Sequence, residues 1–254
     1  MKKVLVTGAT GRTGSLVFQK LRDREEWKVI GFARSPQKIE QMFGSTEDFV
    51  IGDITDKSQI ASAMQGCDAL VILTSAIPKM VAPPSEGKPP QFAYDAEGMP
   101  EKVDYQGQVN QIDAAKQADV EHIVLVGSMG GTNPNHMLNR MGNGNILVWK
   151  RKAEQYLIDS GIDYTIIRAG GLLDKPGGKR ELLVGKNDSL SINPPDGIPN
   201  NIPREDVANV VISALKEPNA RNKAFDIISK PEDAANVEVT QNFAGLFAQT
   251  TGGL

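Results

Sequence analysis

The sequence predicts one doubly wound α/β domain, a mainly parallel sheet with helices on both faces and a small cap region toward the C-terminus. Three observations predict this fold. Short runs rich in β-branched residues alternate with longer segments of helical periodicity. The short runs are almost continuously apolar, as in strands that are covered on both faces. The length suits a single large core, so residues 1–254 are predicted to form one domain.

Strands and helices are predicted to alternate from the first residues onward. The strand candidates are Val4–Val6, Val29–Ala33, Phe49–Ile51, Ala69–Leu73, His122–Val126 and Tyr164–Ile167. Helices are predicted to begin near Thr13, Ser58, Asp104 and Ile146, where apolar residues recur at spacings of three and four. Right-handed connections between parallel strands then produce the Rossmann topology, which binds dinucleotides.

Two stretches interrupt this alternation. Residues 78–103 are rich in Pro, Gly and charge, and they are predicted to form a long loop, the lid, over the carboxyl ends of the strands. Residues 170–203 are predicted to form a small cap with a short strand at Leu182–Val184. The chain then returns to a helix, a strand and a last helix, at Arg204–Leu215, Ala224–Ile228 and Phe243–Ala248.

Composition excludes several classes of function. A formal net charge of −3 does not provide the basic surface that nucleic-acid binding usually needs. No apolar run of about 18 residues is present, so no membrane span is predicted. Cys67 is the one cysteine and cannot form an internal disulfide, which indicates a reducing compartment, and no metal site is predicted. Because Met1 is followed almost at once by the first strand, a cytoplasmic protein is expected, or one in an organelle stroma after removal of a transit peptide.

A glycine-rich turn joins the first strand to the first helix. Gly8 suits a tight turn, Gly11 lets a pyrophosphate approach the backbone, and Gly14 allows close packing of helix on sheet. The N-terminus of the helix supplies N–H donors and a positive dipole. The position after a strand and before a helix is the context that makes this pattern specific. The sequence therefore predicts dinucleotide binding by Gly8, Thr10, Gly11, Arg12, Thr13 and Gly14.

The end of the second strand predicts NADP rather than NAD. An acidic residue there would bind the ribose 2′-hydroxyl, whereas this strand ends in Arg34 and Ser35, which suit a 2′-phosphate. Arg12 is expected to approach the same phosphate, with no Asp or Glu competing. The alternative is that the two arginines are ordinary surface residues.

The ends of the third and fourth strands are predicted to contact the rest of the cofactor. Asp53 and Ile54 suit the amino group and ring face of adenine, although Asp53 could equally be a turn residue or a helix cap. Small and polar residues follow the fourth strand and would let the cofactor lie across the sheet edge, namely Leu73, Thr74 and Ser75. A simple buried strand end is the alternative for these three residues.

These motifs, with the segments at residues 124–128, 150–154 and 163–168, resemble the atypical branch of the short-chain dehydrogenases/reductases. Within that branch the motifs resemble plant and algal NAD(P)-binding proteins of unassigned reaction, and more distantly biliverdin/flavin reductases and NmrA-like regulators. The resemblance implies an NAD(P) extended across the carboxyl edge of the sheet, with Ser128 and Lys150 near the nicotinamide. Gly170 is expected to bring backbone close to the same ring, unless it marks an ordinary bend.

One departure from that family bears on catalysis. Its typical members have a tyrosine four residues before the active lysine, and that phenol moves the substrate proton. Here Ile146 stands four residues before Lys150, and Val148 four before Lys152. Lys150 can still bind the nicotinamide ribose hydroxyls, unless it belongs to a solvated basic helix face with Arg151. Ser128 could polarise a carbonyl or satisfy the backbone, and His136 is a less favoured proton donor.

Two functions follow from this pattern. The first is an NADPH-dependent oxidoreductase that acts on an unidentified small molecule, with the proton supplied from elsewhere than the usual tyrosine. The alternative is a non-catalytic NADP-sensing or regulatory protein. A sugar-nucleotide epimerase ranks below both because it needs the absent tyrosine. The protein is expected to be a monomer or a homodimer.

Overall fold

A computed structural model describes residues 1–85 and 89–254. Twelve strands lie within these ranges: β1 (Lys2–Thr7), β2 (Trp27–Ala33), β3 (Phe49–Ile51), β4 (Ala69–Ile72), β5 (Lys79–Ala82), β6 (Gln91–Ala93), β7 (His122–Ser128), β8 (Asp163–Ala169), β9 (Gly171–Leu173), β10 (Leu182–Gly185), β11 (Asn201–Pro203) and β12 (Lys223–Ser229). The α-helices of the same ranges are α1 (Gly14–Arg22), α2 (Pro36–Phe43), α3 (Lys57–Met64), α4 (Gly107–Gln117), α5 (Met137–Arg140), α6 (Ile146–Asp159), α7 (Ser189–Ile192), α8 (Arg204–Lys216) and α9 (Phe243–Ala248).

Eight of the strands form one sheet in the order β3–β2–β1–β4–β7–β8–β12–β10. All neighbours are parallel except β10, which runs antiparallel to β12 at one edge. Val4 at the centre pairs with Val29 on one side and Ala69 on the other. The predicted doubly wound, mainly parallel fold is confirmed, and each predicted strand is present with bounds that differ by a few residues.

Helices cover both faces of the sheet because consecutive side chains of a strand point to opposite faces. Val4 and Val6 belong to a core with α1, α8 and α9, whereas Leu5 belongs to a second core with α3, α4 and α6. Within the described residues, no helix is long and apolar enough to cross a membrane. No group of three or more metal-ligating side chains is found in that part of the chain either.

The predictions missed α2, although its boundaries carry recognisable signals. The Ser35 hydroxyl accepts a hydrogen bond from the Lys38 N–H at 3.1 Å, Pro36 occupies the first turn, and Gly44 ends the helix with φ +77°. Of its side chains only Ile39 is buried. Such a short helix therefore has too few buried positions to show a clear apolar period.

The lid, residues 78–103, contains regular structure that the sequence did not indicate. Strands β5 and β6 form an antiparallel hairpin, and a π-helical segment at Glu101–Gln106 leads into α4. The predicted lid also includes residues 86–88, which lie outside the described residues. The expectation of a loop without strands is therefore corrected, and the helix predicted near Asp104 begins within the π-helical segment.

The cap, residues 170–203, is smaller than predicted. The predicted strand at Leu182–Val184 is present as β10, but it belongs to the main sheet rather than to a separate cap. Its position follows from β12, which is bonded to β8 on one side and offers its other edge to β10. What remains outside the main sheet is the two-stranded parallel ladder of β9 and β11 together with the short helix α7.

Candidate functional site

The glycine-rich turn between β1 and α1 packs directly against the end of β4. Gly8 has φ +70°, and a Cβ on it would lie 2.8 Å from the Leu73 carbonyl carbon. The Gly11 N–H donates to the Gly8 carbonyl oxygen at 2.8 Å. A Cβ on Gly14 would overlap that same oxygen. Gly8 and Gly14 are therefore required by the packing of the turn itself.

Gly11 has a different environment. A Cβ there would meet the Gly8 oxygen at 3.0 Å and no other described atom within 4 Å. Helix α1 begins without a side-chain cap from any described residue and without an acidic residue in its first turn. Its N-terminal N–H groups and dipole can therefore receive an anion beside Gly11. This open cradle fits the pyrophosphate of a dinucleotide.

Two cavities flank the turn. The outer cavity, about 550 Å³, is lined by Thr10, Gly11 and Arg12 together with residues of α1, α2 and α8. The acceptor cavity, about 340 Å³, opens at the carboxyl ends of β4, β7 and β8. Its walls bring together predicted site residues from five separate segments, namely Thr13, Leu73, Thr74, Ser75, Ser128, Lys150 and Gly170. Ligands of open α/β sheets bind at such carboxyl ends.

Arg34 does not stand alone at the end of β2. Its guanidinium nitrogen lies 3.7 Å from a carboxylate oxygen of Asp53, which follows the neighbouring strand β3. The expectation that no acidic residue competes for Arg34 is therefore wrong. Parallel neighbours end at the same edge of a sheet, so an acid after β3 reaches a cation after β2. The pair is exposed, with 74% of the Arg34 side chain accessible.

The side chains around this pair also have structural roles. Asp53 Oδ1 accepts hydrogen bonds from the Thr55 N–H at 2.9 Å and the Thr55 hydroxyl at 2.8 Å, which is the turn role considered above. The Ser35 hydroxyl caps α2. Ile54 is buried, and its carbonyl accepts from Asn110 Nδ2 at 3.0 Å. Contacts of these residues with adenine or phosphate remain predictions.

Arg12 is paired with an acid of the cap. Its guanidinium contacts the carboxylate of Asp174, which also accepts from Arg204 at 2.8 Å. The prediction that Arg12 and Arg34 meet one phosphate without an acidic competitor is corrected here as well. Sequence reasoning missed Asp174 because its partner is distant along the chain. Lys38 of α2 also lines the outer cavity and adds a positive charge there.

Lys150 is buried and ion-paired. Its Nζ lies 2.6 Å from Asp104 Oδ1, and Asp104 Oδ2 accepts from the Ala76 N–H at 2.9 Å. Asp104 is fully buried and Lys150 is 8% exposed. The alternative of a solvated basic helix face is therefore wrong for Lys150. The pair joins α6 to the π-helical segment that follows the lid and holds the lysine at the wall of the acceptor cavity.

Ser128 lies at the end of β7 and lines the acceptor cavity, where its hydroxyl donates to the Met129 carbonyl oxygen at 3.0 Å. Ile146 lines the same cavity, so an aliphatic side chain occupies the helix position at which the family resemblance led us to expect a tyrosine. Gly170 contributes backbone to the wall, but a Cβ on it would meet Asn200 Oδ1 at 2.5 Å. Its lack of a side chain is therefore explained by packing against Asn200.

The loop after β7 is held by one buried carboxylate. Asp188 accepts hydrogen bonds from the backbone N–H groups of Gly130 at 2.6 Å and Thr132 at 2.8 Å. Burial raises the pKa of Asp188, but these bonds and that of the Thr132 hydroxyl hold it below its usual value. His136 Nδ1 accepts from the Leu138 N–H at 3.2 Å and caps α5. A structural role thus accounts for His136.

Sequence reasoning also missed Tyr94. It follows β6 in the lid and lines the acceptor cavity with Lys150 and Ser128. Burial, followed by the negative charge of Asp104, raises the pKa of the Tyr94 phenol. No local pattern marks this tyrosine, because the lid folds it over a wall built by distant residues.

The comparisons with known proteins agree with this geometry. A family model described as NAD(P)H-binding matches residues 8–218. The chain belongs to this NAD(P)H-binding family. The resemblance derived from the motifs and the prediction of a nicotinamide dinucleotide as cofactor are confirmed at this level. The match begins at the first glycine of the turn and extends through α8.

Two plant proteins are similar over nearly the whole chain. An uncharacterized chloroplastic protein of Arabidopsis thaliana is 56% identical over 251 residues, which cover 98% of this chain and 75% of that protein. Sanguinarine reductase of Eschscholzia californica is 50% identical over 269 residues, which cover 98% of this chain and 96% of that protein.

Solved structures share the fold at lower identity. A putative NAD-dependent epimerase/dehydratase from Bacillus halodurans has a TM-score of 0.70 at 21% identity and covers 98% of this chain and 100% of its own. An anaerobillin reductase from Escherichia coli O157:H7 has a TM-score of 0.66 at 21% identity and covers 92% of this chain and 98% of its own. Both likenesses support the Rossmann architecture described above.

Proposed function

We propose that this protein is an NADPH-dependent reductase of a small organic hydride acceptor. The observation that carries the proposal is the acceptor cavity, which places Ser128 and Lys150 at the carboxyl edge of the sheet beside the glycine-rich turn. Its volume of about 340 Å³ suits a small ligand together with part of a cofactor. The 50% identity to sanguinarine reductase supports a reductase rather than a protein that only binds nucleotide.

We assign a separate role to each part of the site. The N-terminus of α1 holds the pyrophosphate beside the open face of Gly11, and Lys150 binds ribose hydroxyls at the cavity wall. Ser128 orients a polar atom of the acceptor. The bound dinucleotide supplies a hydride to that acceptor. Asp104 keeps the Lys150 ammonium in place, so this geometry exists before any ligand binds.

The preference for NADPH follows from the cations on the nucleotide side. Arg34 is 74% exposed and carries a charge that can bind a 2′-phosphate. Arg12 of the glycine-rich turn and Lys38 of α2 line the outer cavity and contribute two further positive charges. A charged hydrogen bond contributes roughly 1.5–3 kcal/mol, so NADPH should bind about tenfold or more tighter than NADH.

Calorimetric titration of both cofactors tests this preference. Arg34→Asp should reverse or abolish it, whereas Arg24→Asp should leave it unchanged. Arg24 is a matched control because it also forms an exposed ion pair of 3.7 Å, with Glu26. Equal affinity of the unaltered protein for NADPH and NADH would contradict the assignment of NADP.

A screen of acceptors tests the reductase activity itself. Sanguinarine, flavins and quinones are the first choices, because they accept hydride more readily than ordinary ketones. NADPH oxidation should appear with at least one of them and should fall in Lys150→Ala. The second candidate function, cofactor sensing, is favoured by the aliphatic Ile146 at the usual tyrosine position. Tight NADPH binding without turnover of any acceptor would support sensing and overturn the reductase proposal.

We infer a plastid stroma as the compartment in preference to the cytoplasm. The support is the similar protein of Arabidopsis thaliana, whose name describes it as chloroplastic. Fractionation of the source cells with an antibody against this chain checks the assignment. Recovery with cytoplasmic markers would contradict it.

A further inference from the structure

We infer that the Tyr94 hydroxyl, carried by the lid, donates the proton to an acceptor oxygen in place of the tyrosine that α6 lacks. This inference rests on the proposed reductase function and assigns a role that neither the family match nor the motifs provide. It concerns acceptors in which hydride reaches a carbon and a proton must reach the attached oxygen.

The composition of the acceptor cavity leads to Tyr94. Among its described lining residues, only Tyr94 and Lys150 have side chains that titrate. The Lys150 ammonium is held at 2.6 Å by Asp104, whereas no hydrogen bond joins the Tyr94 hydroxyl to any described residue. Ser128 already donates its hydroxyl proton to the Met129 carbonyl oxygen. Tyr94 is therefore the available proton donor in the wall.

The ring of Tyr94 packs against two glycines. A Cβ on Gly142 would lie 3.0 Å from Tyr94 Cδ2, and a Cβ on Gly144 would lie 2.5 Å from Tyr94 Cε2. These glycines precede α6, so the ring of the lid occupies space that side chains of this loop would otherwise fill. The same Cβ on Gly144 would also lie 2.8 Å from Pro100 Cγ. The glycines thus hold the phenol against the segment that leads to Ile146 and Lys150.

The reduction needs no reactant besides the acceptor, the hydride from NADPH, the Tyr94 proton and water. The carbonyl carbon of the acceptor receives the hydride with its electron pair, and the π electrons of the C=O bond move to oxygen. That oxygen forms a bond to the Tyr94 proton as the phenolic O–H bond breaks. The phenolate then recovers a proton from water, which reaches the partly exposed side chain. Because burial and Asp104 raise the phenol pKa, Tyr94 carries its proton at neutral pH before the reaction.

Tyr94→Phe separates this role from cofactor binding. The variant should be assayed with NADPH and two acceptors, the activated dicarbonyl isatin, which needs a proton at oxygen, and N-methylacridinium, which needs none. Reduction of isatin should fall by about 10²-fold or more, as for loss of a general acid. Reduction of N-methylacridinium should fall far less than that of isatin, and the Kd for NADPH should change little, because phenylalanine keeps the ring in the cavity wall and removes only the hydroxyl.

Tyr105→Phe is the matched control. Tyr105 is also partly buried and lies beside the lid, but its ring packs on Trp149 with centroids 5.7 Å apart and does not line the cavity. The Tyr105→Phe variant should reduce both acceptors at the same rates as the unaltered protein. A parallel loss with both acceptors in Tyr94→Phe, or no loss with isatin, overturns the role of Tyr94.

The behaviour of the unaltered protein separates failure of the two proposals. If it reduces neither isatin, N-methylacridinium nor any acceptor of the wider screen, the reductase function is wrong and the role of Tyr94 falls with it. If it reduces N-methylacridinium but not isatin, the reductase function stands and proton donation by Tyr94 is overturned.

A spectroscopic titration gives a readout without cofactor or turnover. The ultraviolet difference between the unaltered protein and Tyr94→Phe, followed with pH, reports ionisation of this one phenol. Its pKa should lie above the ordinary value near 10 and should decrease in Asp104→Asn, which removes a negative charge. An ordinary pKa that is insensitive to Asp104 would show that the phenol does not occupy the cavity, and would overturn the inference.

Discussion

The two halves of the site are built in different ways. The nucleotide half, comprising the glycine-rich turn, Arg34 and Asp53, depends on short stretches that follow β1, β2 and β3. The acceptor half, which is the acceptor cavity, takes its walls from the carboxyl ends of β4, β7 and β8 and from β9, α6 and the lid. One half is therefore specified by local spacing along the chain. The other exists only after distant segments have packed together.

The largest expected effect comes from the turn. In Gly14→Ala the new Cβ overlaps the Gly8 carbonyl oxygen, so the free energy of unfolding should fall by about 3 kcal/mol and NADPH binding should be lost. In Gly11→Val the fold should be retained within about 1 kcal/mol, because only the Gly8 oxygen is near. NADPH binding should still be lost. Urea unfolding and calorimetry distinguish the two variants.

This pair of variants tests whether packing and phosphate binding are separable within the nucleotide half. Unfolding of Gly11→Val would show that the turn tolerates no side chain at any of its glycines. Retention of NADPH binding by the same variant would show that the pyrophosphate lies elsewhere. Either result would break the distinction drawn between Gly14 and Gly11.

The contrast between the halves also explains which parts of the site could be predicted from the sequence. The positions of the turn, Ser128 and Lys150 at the carboxyl edge of the sheet were predictable, because each lies at a fixed place in a strand or helix motif, whereas their contacts with a ligand stay predictions. Asp104, Tyr94 and Asp174 were not, because their importance arises from contacts across the fold with Lys150, the cavity and Arg12. Similarly, β10 looked like part of a cap because its partner β12 is distant in sequence.

The acceptor half should respond strongly to loss of its buried ion pair. Lys150→Met leaves the Asp104 carboxylate buried without its cation, which should cost about 3 kcal/mol of unfolding free energy. Combining it with Asp104→Leu should recover part of that loss, because no unpaired charge then remains. Urea unfolding of the two single variants and the double variant measures this coupling. Additive losses would show that the pair does not hold α6 to the π-helical segment.

A histidine at the opposite edge of the sheet provides a contrast with both halves. His122 begins β7, and its Nε2 lies 2.9 Å from the Thr165 hydroxyl, which donates to the Ala220 carbonyl oxygen at 2.8 Å. Burial, followed by the positive charge of Arg221, lowers the pKa of His122 to about 4. The unfolded chain binds this proton near pH 6.5, so stability is lost as the pH falls from about 7 toward 4.

Between pH 7 and pH 5 this loss should amount to about 2 kcal/mol of unfolding free energy. His122→Gln keeps a donor for Thr165 and should remove most of that dependence while leaving NADPH affinity at pH 7 unchanged. Urea unfolding at the two pH values and calorimetry at pH 7 check both statements. A change in NADPH affinity would mean that the two edges of the sheet are not independent.

The smallest expected effect concerns the exposed pair in the nucleotide half. Asp53→Asn removes the negative charge 3.7 Å from Arg34 but retains an oxygen that can accept from the Thr55 N–H. An exposed ion pair contributes roughly 0.2–1 kcal/mol, so releasing Arg34 should raise the preference for NADPH over NADH by a few-fold at most. The ratio of the two Kd values at low and high salt measures it, and the gain should shrink as salt screens the charges. Were Asp53→Asn instead to weaken NADPH and NADH equally, its carboxylate would be a contact for the adenine that both share, and competition at Arg34 would not set the preference.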